Sequence, residues 1–369
     1  MNLDSLANKY HFFKRVNAYI IVNGKRAQIK AMFVKDIKVV LTAGYESSFC
    51  AISVEDISSC YINNNLELDA DLEKLFVMGG KLELFLGYHD DQTTSLVFTG
   101  YITSVCFELT DSNRVMYAVE AMDVKVFMMN SYRSQLKKDL KRYSDAVDNV
   151  LQDYVSVYDT CEIKQSPEVA GPIEQHNQSD YDFVVDIAKR LNYLFFVVKD
   201  KVRFITYDAV KEDGLEVSPS VYLRSFAREI SINSQIKSVT VRAHDETDIN
   251  QPIEETVVKI SETIGGGSKT AGDLSKLIGD KQSILIIDNT IKSRAEAKDR
   301  AVAELTRQNL PLVSGEMEIV GIPDIFPATM ITVKEMGAKV NGKYFVTEVE
   351  HRLNDNNFQT WCKFISNKE

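Results

Sequence analysis

The chain has 369 residues, a length that at about 150 residues per domain predicts two to three domains. Hydrophobic residues make up 44% of the sequence and charged residues 26%, which is typical of a globular protein with a sizeable core. The formal net charge of −10 would repel a phosphate backbone, so we expect no stable binding of nucleic acid.

The cysteines, the N-terminal residues and the apolar runs argue against four further classes of protein: disulfide-stabilised, zinc-binding, secreted and membrane-spanning. The number of cysteines is odd and no C-x-x-C motif occurs, so we expect neither a disulfide framework nor a zinc site. The cysteines are Cys50, Cys60, Cys106, Cys161 and Cys362. We therefore expect synthesis in a reducing cytoplasm. Residues 1–15 lack the apolar segment of a signal peptide, and no apolar run approaches the ~20 residues of a membrane span.

The first third of the chain alternates between apolar and polar side chains. Residues 17–41 predict strands, and Asn23-Gly24 predicts the tight turn of a hairpin. The alternation stops over 66–80, where a Gly-Gly pair marks a turn. It resumes in KLELFLGY, SLVFTGYITSVCFEL and RVMYAVEAMD, and we expect Gly100 to interrupt the second of these with a bulge or bend. Short strands between turns predict a barrel or a sandwich for this region.

From about residue 131 the strand alternation gives way to helical spacing. Apolar side chains recur at i, i+3, i+4 and i+7 and predict an amphipathic helix: Val147, Val150, Leu151 and Tyr154. Ser144 is the expected N-cap, because a serine hydroxyl accepts a hydrogen bond from the first turn of a helix.

A second helix and a hairpin follow within residues 177–205, NQSDYDFVVDIAKRLNYLFFVVKDKVRFI. Ser179 and Asp182 form a capping box at the start of the helix, and Asn192 is expected to end it in the left-handed conformation. The runs YLFFVV and KVRFITY then alternate across 199–201, which predicts a tight hairpin. Because an isolated hairpin or short helix is marginal in water, we expect the helix to lie across the hairpin and bury both apolar faces.

The last part of the chain is again rich in strands. We predict strands at 236–243 and 283–287, a short helix at 271–278, and a longer helix over about 294–308. An S-x-x-E capping box that begins at Ser293 precedes the longer helix. Strand alternation then continues to the end of the sequence.

No motif in the sequence carries catalytic chemistry. There is no G-x-S-x-G, no H-E-x-x-H and no other paired-histidine spacing. His89 and His244 have adjacent carboxylates, but neighbours on a strand point to opposite faces, so we interpret both as surface residues. The run GGGSKT at 265–270 lacks the spacing of a phosphate loop. We therefore assign no catalytic, metal-binding or cofactor-binding residue and expect no enzyme activity.

Four segments carry a more specific signal through their order along the chain. Residues 95–105 read as an F-x-G-x-[IV]-T strand, residues 177–205 as an S-D-x-[DE]-F start with a helix and an aromatic hairpin, and residues 293–309 as an S-x-x-E-A helix. Residues 315–364 read as a G-x-P turn followed by G-x-Y-x-V-x-x-V-x-H. Together these segments resemble the phage late control D / VgrG-type hub proteins, at Gly100, Ser179, Asp180, Phe183, Gly321, Pro323, Gly342, Tyr344, Val346, Val349, His351 and Thr360.

We interpret these signature positions as structural. The glycines and the proline are expected to serve backbone geometry at bends or turns: Gly100, Gly321, Pro323 and Gly342. The larger side chains of the C-terminal segment are expected to pack a barrel: Tyr344, Val346 and Val349. His351 is expected to be a buried histidine with satisfied hydrogen bonds.

The resemblance implies a mainly β fold with α+β insertions, in which two tube-like β-barrel domains are joined by a helix–hairpin α/β region. The first barrel would span 1–130, the α/β accessory region 131–215, and the second barrel 216–369. A loop and helix segment near 245–308 would be inserted in the second barrel. The helix–hairpin unit would brace or connect the barrels.

The resemblance also implies a function in a contractile phage tail or a phage-tail-like injection particle. Three copies would form a ring at the baseplate hub, because two barrels per copy imitate a six-fold ring. Such a ring adapts the hexameric tail tube to the trimeric spike and contacts other baseplate proteins. Family members continue into an OB-fold and a β-helical needle, which this sequence does not show, so we expect the spike to be a separate polypeptide.

Two other functions remain open from the sequence. A receptor-binding or glycan-binding tail protein would need exposed aromatic clusters and a separable tip. A cell-wall hydrolase would need two convergent carboxylates or a metal cluster, and the sequence singles out neither. The sequence leaves open which interface residues, spike and tube partners, target cell and kind of particle are involved.

Overall fold

A computed structural model of the chain describes residues 3–27, 32–56, 74–109, 115–137, 139–210, 213–244, 251–260, 264–267, 269–270, 282–354 and 357–369. The fold is mainly β with helices inserted between the strands, as the sequence predicts. The predicted helix at 271–278 lies outside the described residues.

The N-terminal region is a short helix followed by a series of strands: α1 (Leu3–Lys9), β1 (Val16–Val22), β2 (Lys25–Arg26), β3 (Met32–Thr42), β4 (Phe49–Asp56), β5 (Lys81–Tyr88), β6 (Thr94–Leu109) and β7 (Val115–Met122). The predicted hairpin is confirmed, because β1 pairs with β2 across Asn23 and Gly24. Both turn residues have positive φ, 49° and 75°, as a type I′ turn requires.

The middle region alternates helices and short strands: α2 (Lys125–Met129), β8 (Tyr132–Lys137), α3 (Tyr143–Leu151), β9 (Thr160–Ile163), β10 (Ile173–Ser179), α4 (Asp180–Leu191), β11 (Leu194–Val198) and β12 (Lys201–Ile205). The hairpin of β11 and β12 is confirmed, and β9 adds to it in parallel. Helix α4 ends at Asn192, whose φ of 56° is the predicted left-handed conformation.

The C-terminal region carries the remaining elements: β13 (Asp213–Val217), β14 (Leu223–Ile230), β15 (Ser238–Ala243), β16 (Ile253–Val257), β17 (Ser283–Ile287), α5 (Arg294–Asn309), β18 (Val313–Val320), β19 (Met330–Val333), β20 (Gly342–Asn354) and β21 (Asn357–Ser366). Strands β16, β15 and β17 form a small sheet. Helix α5 covers one face of that sheet with the predicted stripe of Ala297, Ala301 and Leu305.

One large sheet contains strands from both β-rich regions. Its order is β14-β18-β21-β20-β3-β4-β7-β6-β5-β1-β2, and β19 and β13 continue from β20. The junction is the antiparallel pairing of β20 with β3, from Glu348 opposite Thr42 to Asn354 opposite Asp36. The pairing does not resolve this sheet into two closed barrels, so the tube-like barrels and the three-part division remain predictions.

The hydrophobic cores follow the same organisation. The largest cluster combines side chains of the N-terminal strands, such as Val39 and Leu84, with side chains of the C-terminal strands, such as Val349 and Phe364. A second cluster lies inside the middle region, where α4 packs against the hairpin as predicted. Each large apolar side chain that is fully buried in this way contributes roughly 1.5–3 kcal/mol.

The hairpin of β11 and β12 is buried on both of its faces. Phe195 and Phe204 point to α4 and belong to the cluster of the middle region. Leu194 and Phe196 point the other way, into a third cluster that includes Phe345 of β20. The hairpin therefore joins the helical layer to the large sheet.

Two local predictions are wrong. Helix α3 begins at Tyr143 and not after Ser144, because the Ser144 amide is already bonded to the Ser166 hydroxyl at 3.1 Å and needs no cap. Gly100 does not interrupt β6, which runs through it. The irregularities of β6 lie where its register shifts against β5, near Val97, and against β7, near Thr103.

The environment of two signature glycines gives a direct test of packing. A Cβ at Gly100 would lie closer than 3.0 Å to the Met122 carbonyl oxygen and the Phe98 ring, whereas a Cβ at Gly342 meets no atom within 4 Å. We predict that Gly100→Ala lowers the free energy of unfolding by about 1–3 kcal/mol and that Gly342→Ala changes it by less than about 0.5 kcal/mol. Urea unfolding of the two variants measures the difference, and equal midpoints would contradict this packing.

Candidate functional site

The turn at residues 321–325, which follows β18, brings together several signature positions. Gly321 donates its amide to the Phe358 carbonyl at 3.1 Å, and Ile325 donates its amide to the Ile322 carbonyl at 3.3 Å. Pro323 lies at the tip, where its fixed φ suits a turn. The Cα of Gly321 packs against the Phe358 ring so closely that a Cβ would overlap the ring.

A chain of hydrogen bonds through His351 closes this turn from inside. The Ile322 amide donates to Thr360 Oγ1 at 3.1 Å, and Thr360 Oγ1 lies 3.0 Å from His351 Nδ1. His351 Nε2 lies 3.1 Å from the Ile325 carbonyl oxygen. Because a carbonyl only accepts, Nε2 carries the proton and Nδ1 accepts from the threonine hydroxyl. Burial lowers the pKa of His351 to about 4, so the ring is neutral at pH 7.

The N-terminal region holds the same turn from outside. The Tyr88 hydroxyl of β5 donates to the Gly321 carbonyl at 2.8 Å. Tyr10 and Lys9 both donate to the Asp324 carboxylate at 2.6 Å. Burial raises the pKa of Asp324, but hydrogen bonds from Lys9, Tyr10 and Ser95 and the charge of Lys9 outweigh it, so the pKa lies below its ordinary value. The turn is therefore a junction between the N-terminal and C-terminal strands.

The S-D pair of the signature organises the middle region. Ser179 Oγ accepts the Asp182 amide at 3.0 Å and so caps α4. Asp180 is fully buried and accepts from the Tyr154 hydroxyl at 2.6 Å and from Gln175 Nε2 at 2.9 Å. Arg133 Nη2 lies 3.1 Å from the same carboxylate. The carboxylate thus ties α4 to β8, to β10 and to the turn after α3.

A buried lysine fastens the middle region to the large sheet. Lys125 has no exposed surface, and its Nζ donates to three successive carbonyls of the β3–β4 loop, of which Glu46 is the nearest at 2.7 Å. The same Nζ lies 5.0 Å from the centre of the Phe195 ring on the hairpin. Burial lowers the pKa of Lys125 to about 8. The loop, α2 and the hairpin therefore meet at one cation.

Besides Thr360, which bonds His351, the structure groups five of the twelve signature positions in two places. Gly321, Pro323 and His351 meet at the 321–325 turn, and Ser179 and Asp180 meet at the start of α4. The other positions contribute to the cores or lie apart. The core positions are Phe183, Tyr344, Val346 and Val349; Gly342 begins β20, and Gly100 lies within β6.

Sequence reasoning missed the polar partners at both junctions. A local pattern could have indicated that Asp324 and Lys125 are buried and paired. Asp324 is a charge between the apolar residues of GIPDI, and Lys125 is a charge within the apolar run DVKVFMM. No local pattern marks Tyr10 and Tyr88, because their hydrogen-bond partners lie more than two hundred residues away in the sequence.

The described residues contain no group of three or more metal-ligating side chains that could hold a metal ion. Of the helices in these ranges, none is both long enough and apolar enough to cross a bilayer.

Comparison with solved structures identifies the fold. The chain resembles the prophage MuSo2 tail protein from Shewanella oneidensis with 12% identity and a TM-score of 0.69, over 95% of this chain and 98% of that one. A tail protein from Neisseria meningitidis gives 11% identity and a TM-score of 0.68, over 95% and 97%. An E. coli component of the type VI secretion system gives 11% and 0.53, over 95% and 77%. The fold is therefore one that phage tail proteins have.

The sequence also matches a family model. The model described as the Alg8 N-terminal domain matches residues 14–355, and the chain belongs to this family. No curated protein matches the chain.

The neutral state of His351 generates a prediction about pH. An unfolded histidine takes up a proton below pH ~6.5, whereas folded His351 does so only near pH 4, so the unfolded state binds more protons between these values. Stability is therefore complete above pH 6.5 and is lost as the pH falls towards 4, by about 3 kcal/mol from this group. We predict that His351→Gln reduces the loss of unfolding free energy between pH 7 and pH 4.5.

The exposed His176 provides the matched control for urea unfolding at the two pH values. His176→Gln should show the same pH dependence as the unmodified chain. If His351→Gln also keeps the full pH dependence, the buried neutral histidine is not its source.

Proposed function

We propose that the chain is a structural component of the baseplate hub in a contractile phage tail or a tail-like injection particle, of the late control D / VgrG type. In this proposal three copies form a ring between the hexameric tail tube and the trimeric spike, beside other baseplate proteins. The chain is made and assembled in the bacterial cytoplasm, binds no nucleic acid stably and does not span the membrane. The fold of tail proteins and the order of the signature segments support it.

The pairing of β3 with β20 is the observation that carries this proposal. It joins the N-terminal and C-terminal β-rich regions edge to edge in one sheet, with His351 and Val39 opposite each other in the buried row. Each copy then presents two β-rich regions in one body. Three such copies around a three-fold axis would present six, which is the number that a six-fold tube requires.

The middle region has the contacts that a brace needs. Lys125 joins it to the β3–β4 loop, and the Tyr181 hydroxyl donates to the Tyr45 carbonyl of the same loop at 2.8 Å. Lys81 at the start of β5 pairs with Asp200 in the hairpin turn at 2.5 Å. These contacts support a structural function for the helix–hairpin unit.

A non-catalytic function agrees with the use of the buried polar groups. Asp180, His351 and Lys125 are buried and Asp324 is half-buried, and each has two or more internal partners that join separate elements of the fold. Such partners are what a structural function requires of buried polar groups. We therefore propose that the chain has no enzyme activity.

The oligomeric state tests the proposal most simply. Three copies of the 41.7 kDa chain would have a mass of about 125 kDa, and we predict this mass, or that of two stacked rings, by light scattering across a concentration series. A cell-wall zymogram on the same preparation should show no clearing.

A strictly dimeric particle at all concentrations would contradict the ring. A monomer would require the same measurement with the cognate spike protein added, and a monomer in both cases would also contradict the ring. Clearing in the zymogram would favour a hydrolase instead.

A further inference from the structure

A groove of about 800 Å³ lies between α4 and α5, outside the junctions described above. Lys189 and Arg190 line it from the end of α4, and Arg300 and Arg307 line it from α5. The segment at 289–292, which precedes α5, forms a further part of the wall.

The charge of this groove is opposite to that of the whole chain. Five cationic side chains line it against three carboxylates, in a protein whose formal net charge is −10. The cations are Lys189, Arg190, Lys292, Arg300 and Arg307, and the carboxylates are Glu174, Asp186 and Glu304. The groove is therefore a local site where an anion is favoured on a protein that otherwise repels anions.

Two of the three arginines are satisfied inside the protein. Arg190 donates to Asp288 at 2.6 Å and to Thr290 at 3.0 Å, and its guanidinium lies 5.1 Å from the centre of the Tyr143 ring. Arg307 donates to Glu304 at 2.6 and 3.2 Å. These two side chains form fixed walls.

The guanidinium group of Arg300 does not have short hydrogen bonds of this kind. Its side chain is only 19% exposed, and its Nη1 reaches the Arg190 carbonyl at 3.4 Å and Glu304 at 3.5 Å. Both distances are at the long limit for a hydrogen bond. Its Nε is buried without a hydrogen-bond partner. Since Glu304 is already held by Arg307 and Gln308, Arg300 keeps donors free in a polar cavity.

We propose that this groove binds an acidic side chain of a neighbouring polypeptide, whose carboxylate is gripped by Arg300. A carboxylate matches the planar fork of a guanidinium through two parallel hydrogen bonds. The groove is wider than one carboxylate needs and is open to solvent, so it also accommodates the backbone that carries the side chain. The choice of a polypeptide over a free acid rests on the proposed assembly function.

Binding of a fluorescently labelled hexaglutamate peptide, followed by anisotropy at low salt, tests this proposal. We expect the peptide to bind the unmodified chain, and Arg300→Gln to weaken binding by about tenfold or more. Arg300→Lys keeps the charge but loses the fork, and should also weaken binding. The matched control is Arg294→Gln on the same helix, whose side chain is 70% exposed, and it should change the affinity by less than about twofold.

Three outcomes would overturn the proposal. The peptide does not bind the unmodified chain, or it binds equally well to the Arg300 and Arg294 variants, or free glutarate displaces it at the same concentration as unlabelled hexaglutamate. The last outcome would make the groove a site for a small acid.

If thermal unfolding shows that Arg300→Gln does not fold, Arg300→Lys decides the question. Light scattering tests the ring separately, so failure of one proposal is distinguishable from failure of the other.

Discussion

The backbone pairing of β3 with β20 is the constraint on which the rest of the structure depends. β20 pairs with β21 along most of its length, with a register shift near Thr347, and at the same position the partner on its other edge changes from β19 to β3. Side chains on a strand alternate between faces, so a slip of β3 by one residue against β20 would move Val39 and Leu41 out of the core that they share with Val349. The His351 ring faces Thr360 across β20 and β21, so the polar junction beside this core depends on the register of that neighbouring pair. The registers of two adjacent strand pairs thus determine the shared core and the polar junction.

Buried polar groups make each junction specific. His351 lies between the C-terminal strands and a turn that Tyr10 and Tyr88 hold from the N-terminal side. Lys125 lies between a loop of the large sheet and the hairpin of the middle region. An unpartnered polar group in such a place costs about 1–3 kcal/mol or more, so alternative packings that separate these partners are disfavoured. This arrangement favours one fixed orientation of the regions.

The sequence predicts what depends on neighbours along the chain. The turn at Asn23 and Gly24, the cap at Ser179 and the stop at Asn192 all follow from local backbone chemistry. Contacts between residues that are distant in the sequence cannot be predicted from such local patterns. Ser144 has the form of an N-cap, but its actual partner is Ser166, twenty-two residues further on. The pairing of β3 with a strand some three hundred residues away, and the burial of a lysine against three carbonyls, depend on how complete elements pack.

Because β3 and β20 join the two β-rich regions in one sheet, we expect these regions to unfold as one cooperative unit. Native-state hydrogen exchange, measured over increasing denaturant, tests it most directly because it reports the free energy at which each segment opens. We expect the amides of β4 and β7 and the amides of β18 and β21 to converge on one common opening. A cooperative unit would be ruled out if the N-terminal strands opened at a clearly lower free energy while β18 and β21 stayed protected.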